Sequence, residues 1–212
     1  MATITVDGQE IHGEEGTSLL QTCLDNGIYI PNLCHLKEMT APVASCRLCF
    51  VELEGQGQPV PSCTVPVRDG MTVTTDTPEV RRLQKSALEM LLSVHDVNCK
   101  ACPANRKCEL QTLAKFLKVG LKPKRLDKHL KPVEVIGEHP FLDHYPNRCV
   151  LCGKCVFVCR QNRSRPQLAF AGRGFNTVIS AFGESDASDG CPDCRACVEV
   201  CPVGALIPRA IP

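Results

Sequence analysis

The stretch "CVLCGKCVFVCR", Cys149–Arg160, and its return as "CPDCRACVEVCP", Cys191–Pro202, decide how the C-terminal segment of the chain folds. Each copy spaces its cysteines with gaps of two, two and three residues: Cys149, Cys152, Cys155 and Cys159, then Cys191, Cys194, Cys197 and Cys201. Thiolates are soft, anionic ligands, and gaps this short let one loop wrap three of them around a common centre. Little else between residues 140 and 212 can build a core, so whatever the thiols bind must organise the segment.

The gap series, closed by Pro202, is the run of bacterial ferredoxins. In that run three thiolates cover one side of a cubane [4Fe-4S] cluster and the fourth reaches across to the other cluster. The reading therefore crosses the two copies. One [4Fe-4S] site takes Cys149, Cys152, Cys155 and Cys201, and another takes Cys159, Cys191, Cys194 and Cys197. A pair of zinc knuckles is the alternative, which the three-thiol run disfavours. Arg160 follows the first copy where Pro202 follows the second.

Of the 212 residues, 43% are hydrophobic, 16 are cysteine and none is tryptophan. The length predicts two or three small domains, and the cysteine excess implies that metal or disulfides staple them. The N-terminus shows no basic stretch leading into an apolar run, and no apolar run reaches about 18 residues, so a cytoplasmic chain without a membrane span is expected. In a reducing compartment, clustered C-x-x-C spacings read as metal or redox sites rather than disulfides. A net charge of +1 supplies no general field for nucleic acid or anionic lipid. The basic run Lys122–Pro132 reads as a solvated linker, with a docking patch for an acidic partner as the alternative.

At the N-terminus, Ile4 and Val6 alternate with Thr3 and Thr5 before an Asp7-Gly8 dipeptide suited to a type I′ turn, which predicts a hairpin over 3–12. Ser18 and Gln21 form a capping-box signature. Leu19, Leu20, Cys23 and Leu24 then stripe one face of a helix that stops at Asn26-Gly27. Strand-rich sequence resumes at Phe50–Glu54 and again after Asp69-Gly70, giving an α+β unit. Thr77 before Pro78 opens a helix that keeps its period to His95, and a second helix is predicted from Cys108 to Val119. The expected domains are an α+β unit over 1–76, a helical module over 77–121, a basic linker over 122–139 and the cysteine-repeat domain over 140–212.

Two further cysteine groups fall in the first two units. Cys34, Cys46, Cys49 and Cys63 suit a [2Fe-2S] rhomb whose irons take two thiolates each, with structural zinc as the alternative. Cys99, Cys102 and Cys108 lack a fourth cysteine, and His95 lies within reach of them as the candidate fourth ligand. Imidazole in place of thiolate makes a cluster less negative and raises its potential. The remaining cysteine, Cys23, reads as a small buried apolar residue. His12, His35, His129, His139 and His144 read as ordinary polar positions.

The order of these sites, together with "CRLCFVE" (46–52), "DGMTVTTD" (69–76), "CELQ" (108–111), "CVLCGKCV" (149–156), "GRGFNT" (172–177) and "CPVGAL" (201–206), resembles the N-terminal iron-sulfur region of the large peripheral-arm subunit of respiratory complex I. It is equally similar to the iron-sulfur diaphorase subunits of NAD-linked hydrogenases, the N-terminal part of [FeFe] hydrogenases and the matching region of NAD-dependent formate dehydrogenases. The resemblance implies a β-grasp [2Fe-2S] ferredoxin domain over 1–76, a helical [4Fe-4S] module ligated by His95 with three cysteines, and a bacterial-type 2[4Fe-4S] ferredoxin domain at the end. The implied cofactors are one [2Fe-2S] and three [4Fe-4S] clusters. The implied partners are a flavin/NAD(H)-binding subunit, a thioredoxin-like [2Fe-2S] subunit and a catalytic hydrogenase or formate dehydrogenase subunit, with ferredoxin as a further candidate.

Two departures stand out. Ala44-Ser45 precedes the CR-x-C segment where family members commonly have Gly, and Arg195 replaces the Gly of CxxCGxC, a charge expected to raise the potential of its site. The sequence has neither a G-x-G-x-x-G fingerprint nor a P-loop, and only eleven residues follow Cys201. The expected role is thus a non-catalytic electron-relay subunit of an NAD(P)-linked oxidoreductase, a hydrogenase ahead of a formate dehydrogenase. A free-standing multi-cluster ferredoxin and a zinc-structured interaction module are the alternatives.

Overall fold

The computed structural model of the chain describes residues 1–162, 165–182 and 191–209; positions 163–164, 183–190 and 210–212 of the expected C-terminal domain lie outside the described residues. Two compact units result, one from Met1–Glu89 with Leu113–Val119 and the other from Met90–Thr112 with Gly120–Pro212.

In the first unit the N-terminal alternation produces the expected hairpin. β1 (Ala2–Val6) pairs antiparallel with β2 (Gln9–Gly13), and the turn places Asp7 and Gly8 at φ +51° and +82°. Both central residues are left-handed, as a type I′ turn requires. Ala2, Ile4 and Val6 point into the core while Thr3 and Thr5 stay half-buried, and burying a side chain such as Ile4 contributes roughly 2 kcal/mol. α1 (Leu19–Asp25) starts at Ser18, whose Oγ accepts the Gln21 N–H at 3.2 Å. β3 (Phe50–Leu53), β4 (Val60–Pro61) and β5 (Thr72–Thr74) complete a five-stranded sheet in the order β2-β1-β5-β3-β4. β5 runs parallel to β1 and antiparallel to β3. Leu19, Leu20 and Cys23 of α1 share one core with Ile4, Val51 and Val73 of the sheet.

α2 (Pro78–Ser93) begins behind Thr77, whose Oγ1 accepts the Val80 N–H at 3.2 Å, and ends just short of His95. α3 (Glu109–Leu117) lies inside its expected bounds. α2 runs from the first unit into the second, and α3 returns from the second to the first.

The second unit contains β6 (Leu142–His144), α4 (Lys154–Asn162), β7 (Leu168–Ala171), β8 (Val178–Ala181), α5 (Cys191–Cys194), α6 (Ala196–Glu199) and β9 (Leu206–Pro208). β6 pairs antiparallel with β9, and β7 with β8. In one apolar cluster of this unit, Val156, Leu168, Ile179 and Leu206 pack with Cys155 and Cys159. Thiols are therefore part of the core itself. The basic run forms no regular element but is pinned. Lys128 Nζ donates to the His95 carbonyl at 2.9 Å, and Asn147 exchanges two hydrogen bonds with the Lys131 backbone at 2.7 and 3.0 Å.

Candidate cluster sites

In the first unit Cys34, Cys46, Cys49 and Cys63 are all buried and stand as two close pairs. The Cys34 and Cys46 sulfurs share a hydrogen bond at 3.4 Å, which holds the Cys34 thiol well below its usual range and pushes Cys46 up. Cys49 and Cys63 share a proton in the same way, with Cys49 held low and Cys63 raised. In each pair the second deprotonation brings two anions into contact, so a bound cation is what would let both ionise. Ser62 braces the second pair, donating from its N–H and its hydroxyl to the Cys49 carbonyl at 2.9 and 2.8 Å. Ala44 and Arg47, on either side of Cys46, take φ +52° and +53°. The departure at Ala44-Ser45 thus falls on a left-handed turn that glycine adopts without strain.

In the second unit, Cys99, Cys102 and Cys108 come together at the start of α3. Burial raises the Cys108 thiol, and charge on Cys102 and Cys99 would raise it further. His95 is buried, and burial pushes its pKa down to about 4, so the imidazole is neutral. Among the described residues its Nδ1 has no hydrogen-bond partner. Buried polar atoms are nearly always paired, and a neutral imidazole with a nitrogen to spare is suited to ligate a metal.

Cys149, Cys152, Cys155 and Cys201 border one cavity. Burial, then the proximity of Cys152 and Cys201, pushes Cys149 up to about 12, and burial followed by Cys149 raises Cys155. Cys159, Cys191, Cys194 and Cys197 border a second cavity, where burial, then Cys191, pushes Cys197 up to about 12. Cys159 of the first repeat thus borders the cavity of Cys191, Cys194 and Cys197, and Cys201 of the second borders that of Cys149, Cys152 and Cys155. Among the described residues no three His, Cys, Asp or Glu donors converge on one point that could hold a single metal ion. Backbone N–H groups aim at the sulfurs: Leu151 at Cys149 (3.4 Å), Gln167 at Cys159 (3.2 Å) and Ala205 at Cys201 (3.3 Å). Such donors favour thiolate over thiol, and soft sulfur sets of this kind fit iron-sulfur clusters better than hard cations.

The thiol groups of the second unit follow one another. α4 carries Cys155 on the first cavity and Cys159 on the second, one helical turn apart, about 5–6 Å between Cβ atoms. The Cys102 sulfur lies 3.9 Å from the carbonyl oxygen of Val203, two residues beyond Cys201. Glu109 donates its N–H to the Pro202 carbonyl at 2.9 Å. Lys154, buried inside the C-x-x-C-G-K-C loop, reaches to 3.7 Å from the Glu109 carboxylate.

Two residues expected to be ordinary polar positions are not. His139 and His144 are each only 5% exposed, His139 bordering the second cavity and His144 the first. Burial, then the Lys131 charge, pushes His144 down to about 4. His139 has no cysteine within nine residues, and Cys149, five residues after His144, already belongs to a four-thiol set, so no local pattern marks them. Cys23 is fully buried, as its place in the α1 stripe predicts.

Three stretches of the chain match known iron-sulfur regions. Residues 1–78 match the 2Fe-2S iron-sulfur cluster binding domain, 84–121 the NADH-ubiquinone oxidoreductase-G iron-sulfur binding region, and 148–205 the 4Fe-4S dicluster domain. The chain is 32% identical over 210 residues to the NADH-ubiquinone oxidoreductase 75 kDa subunit of Reclinomonas americana, with 97% of this chain and 29% of that protein covered. It is 34% identical over 223 residues to the HndD subunit of the NADP-reducing hydrogenase of Solidesulfovibrio fructosivorans, covering 98% of this chain and 36% of that one. It therefore spans only about a third of the length of these curated relatives. A chain in the crystal structure of an NAD+-reducing [NiFe]-hydrogenase in the H2-reduced state superposes with a TM-score of 0.84 at 32% identity, covering 99% of this chain and 88% of that one. Among the described residues no helix is long and apolar enough to cross a membrane. Three matched iron-sulfur regions in this order and a near full-length structural counterpart show that the chain belongs to the family of iron-sulfur electron-transfer subunits and regions of NAD(P)-linked hydrogenases and complex I-type oxidoreductases.

Proposed function

We propose that the chain is an electron relay between a flavin/NAD(P)(H)-binding subunit and a separate catalytic subunit. In this reading, residues 1–76 are a β-grasp ferredoxin domain holding one [2Fe-2S] cluster through Cys34, Cys46, Cys49 and Cys63. Residues 77–121 form a helical module in which His95, Cys99, Cys102 and Cys108 hold a [4Fe-4S] cluster. After the 122–139 linker, residues 140–212 hold two more, through Cys149, Cys152, Cys155 and Cys201 and through Cys159, Cys191, Cys194 and Cys197. Bound clusters supply one-electron uptake and release, while the chain's residues hold them, bury them and set how readily each is reduced.

The observation that carries the reading is the succession of thiol groups in the second unit. The Cys102 sulfur borders the Cys201 loop through Val203, and α4 joins the next two cavities through Cys155 and Cys159. A storage or structural role has no use for sites laid end to end, whereas a relay depends on it. A hydrogenase is the favoured catalytic partner, supported by the likeness to chains of an NADP-reducing and an NAD+-reducing hydrogenase, with formate dehydrogenase next. A thioredoxin-like [2Fe-2S] subunit and ferredoxin complete the proposed partners.

Tagging this chain, purifying without oxygen and assaying hydrogen-dependent NAD(P)+ reduction tests the reading. The expected result is a flavin-containing complex active with hydrogen. A flavin-containing complex that oxidises NADH but ignores hydrogen would move the assignment to formate dehydrogenase. A monodisperse chain with no flavoprotein partner would overturn the relay between subunits.

A further inference from the structure

The sulfurs of the last two cavities receive their hydrogen bonds from different sources. Leu151, Gln167 and Ala205 supply backbone N–H groups to Cys149, Cys159 and Cys201. Cys191 instead faces a side chain from far along the sequence: His139 Nε2 lies 3.5 Å from its sulfur. The imidazole is buried at 5% exposure and borders the cavity that Cys191 shares with Cys159, Cys194 and Cys197. Its protonation pattern is set locally. The Phe141 N–H donates to His139 Nδ1 at 3.2 Å, so Nδ1 is the acceptor and the proton of the neutral ring sits on Nε2, pointing at sulfur. The Phe141 ring packs edge-on against it, with centroids 6.0 Å apart.

We propose that His139 is a positioning residue that donates its Nε2 proton in a hydrogen bond to the Cys191 sulfur and thereby raises the reduction potential of the centre at that cavity. The proposal rests on the reading that Cys191 is a cluster ligand. Reduction adds one electron to the cluster and none to the histidine, and the Nε2 proton stays on the ring. The added negative charge spreads onto the ligand sulfurs, so a hydrogen bond to sulfur stabilises the reduced state more than the oxidised one. Removing the donor makes reduction harder at this centre alone.

The test uses the full chain in its anaerobically purified complex, with His139→Leu, His139→Gln and Cys191→Ala compared with wild type. Iron and acid-labile sulfide are counted, and each paramagnetic centre is followed by spectroscopy during a redox titration. His139→Leu is expected to keep its iron while one [4Fe-4S] signal moves to lower potential. Its one-electron reduction constant should fall severalfold, up to about tenfold, the upper end being a shift of about 59 mV. The other signals should stay in place, and His139→Gln, which keeps an N–H donor, should recover most of the shift. Unchanged potentials in an iron-replete His139→Leu overturn the proposal while leaving the ligand assignment standing. Full iron and all signals in Cys191→Ala instead overturn the ligand assignment beneath it. If His139→Leu loses iron, the glutamine variant decides: iron kept at wild-type potential supports the donor, and iron lost in both variants makes His139 a packing residue.

Discussion

Arg195 holds φ +43° in the second cysteine loop, at the place where Gly153 takes +76° in the first. A side chain in the left-handed region costs about 1–2 kcal/mol, part of which a glycine gives back as unfolded-state entropy. Arg195→Gly should therefore stabilise the folded chain by about 0.5–1 kcal/mol in anaerobic thermal unfolding. It should also lower the potential of the neighbouring centre by removing a positive charge, and an unchanged potential would contradict the charge effect. Cys23 makes a different prediction. Burial, then the Asp7 carboxylate, pushes its thiol up to about 12 from an ordinary 9.0. Between those values the unfolded chain has lost the proton that the folded chain keeps, so this group's contribution to stability falls as pH rises from about 9 to about 12. Iodoacetamide at pH near 8 should accordingly leave Cys23 unmodified until the first unit unfolds, and rapid labelling of the folded protein, read by peptide mass, would contradict its burial. The cysteine runs were legible because their short gaps are local. His144 was not, because it sits in β6, which pairs with β9 more than sixty positions away, and His139 was not, because the Cys191 sulfur it faces lies 52 positions along the chain.

At the scale of elements, the hairpin of β7 and β8 supports the C-terminal thiols, since Leu168 and Ile179 pack with Cys155 and Cys159. Its bend depends on Gly172, at φ +74°, where an added Cβ would lie 2.6 Å from the Asn176 carbonyl oxygen. Gly172→Ala should cost about 2 kcal/mol or more, combining left-handed strain with a displaced backbone. Iron should then leave to a chelator faster than from the wild type; an unchanged release rate would show that the hairpin does not hold the cavities shut. Elements with a local start or stop signal were legible in the sequence: the Asp7-Gly8 turn, the Ser18 cap of α1 and the Thr77-Pro78 start of α2. The parallel pairing of β1 with β5 and the order of the sheet were not, because register between distant strands is set by packing that no short window contains.

For the whole molecule, thiols are built into an apolar cluster of the second unit, so its folding should depend on what those thiols hold. Removing iron with a chelator under reducing conditions should reduce the helical circular dichroism signal, and an unchanged spectrum after complete iron loss would contradict that coupling. The crossed sharing of cysteines between the two repeats extends the dependence, because each cavity borrows one thiol from the other repeat. The most direct test of the relay is to count iron and acid-labile sulfide in the anaerobically purified complex, corrected for partner subunits, while titrating its paramagnetic signals. One [2Fe-2S] and three [4Fe-4S] clusters predict about 14 iron and about 14 sulfide in this chain, with four centres each reducible by one electron. Zinc without sulfide, or centres that take up no electron from the partner flavin subunit, would contradict the account.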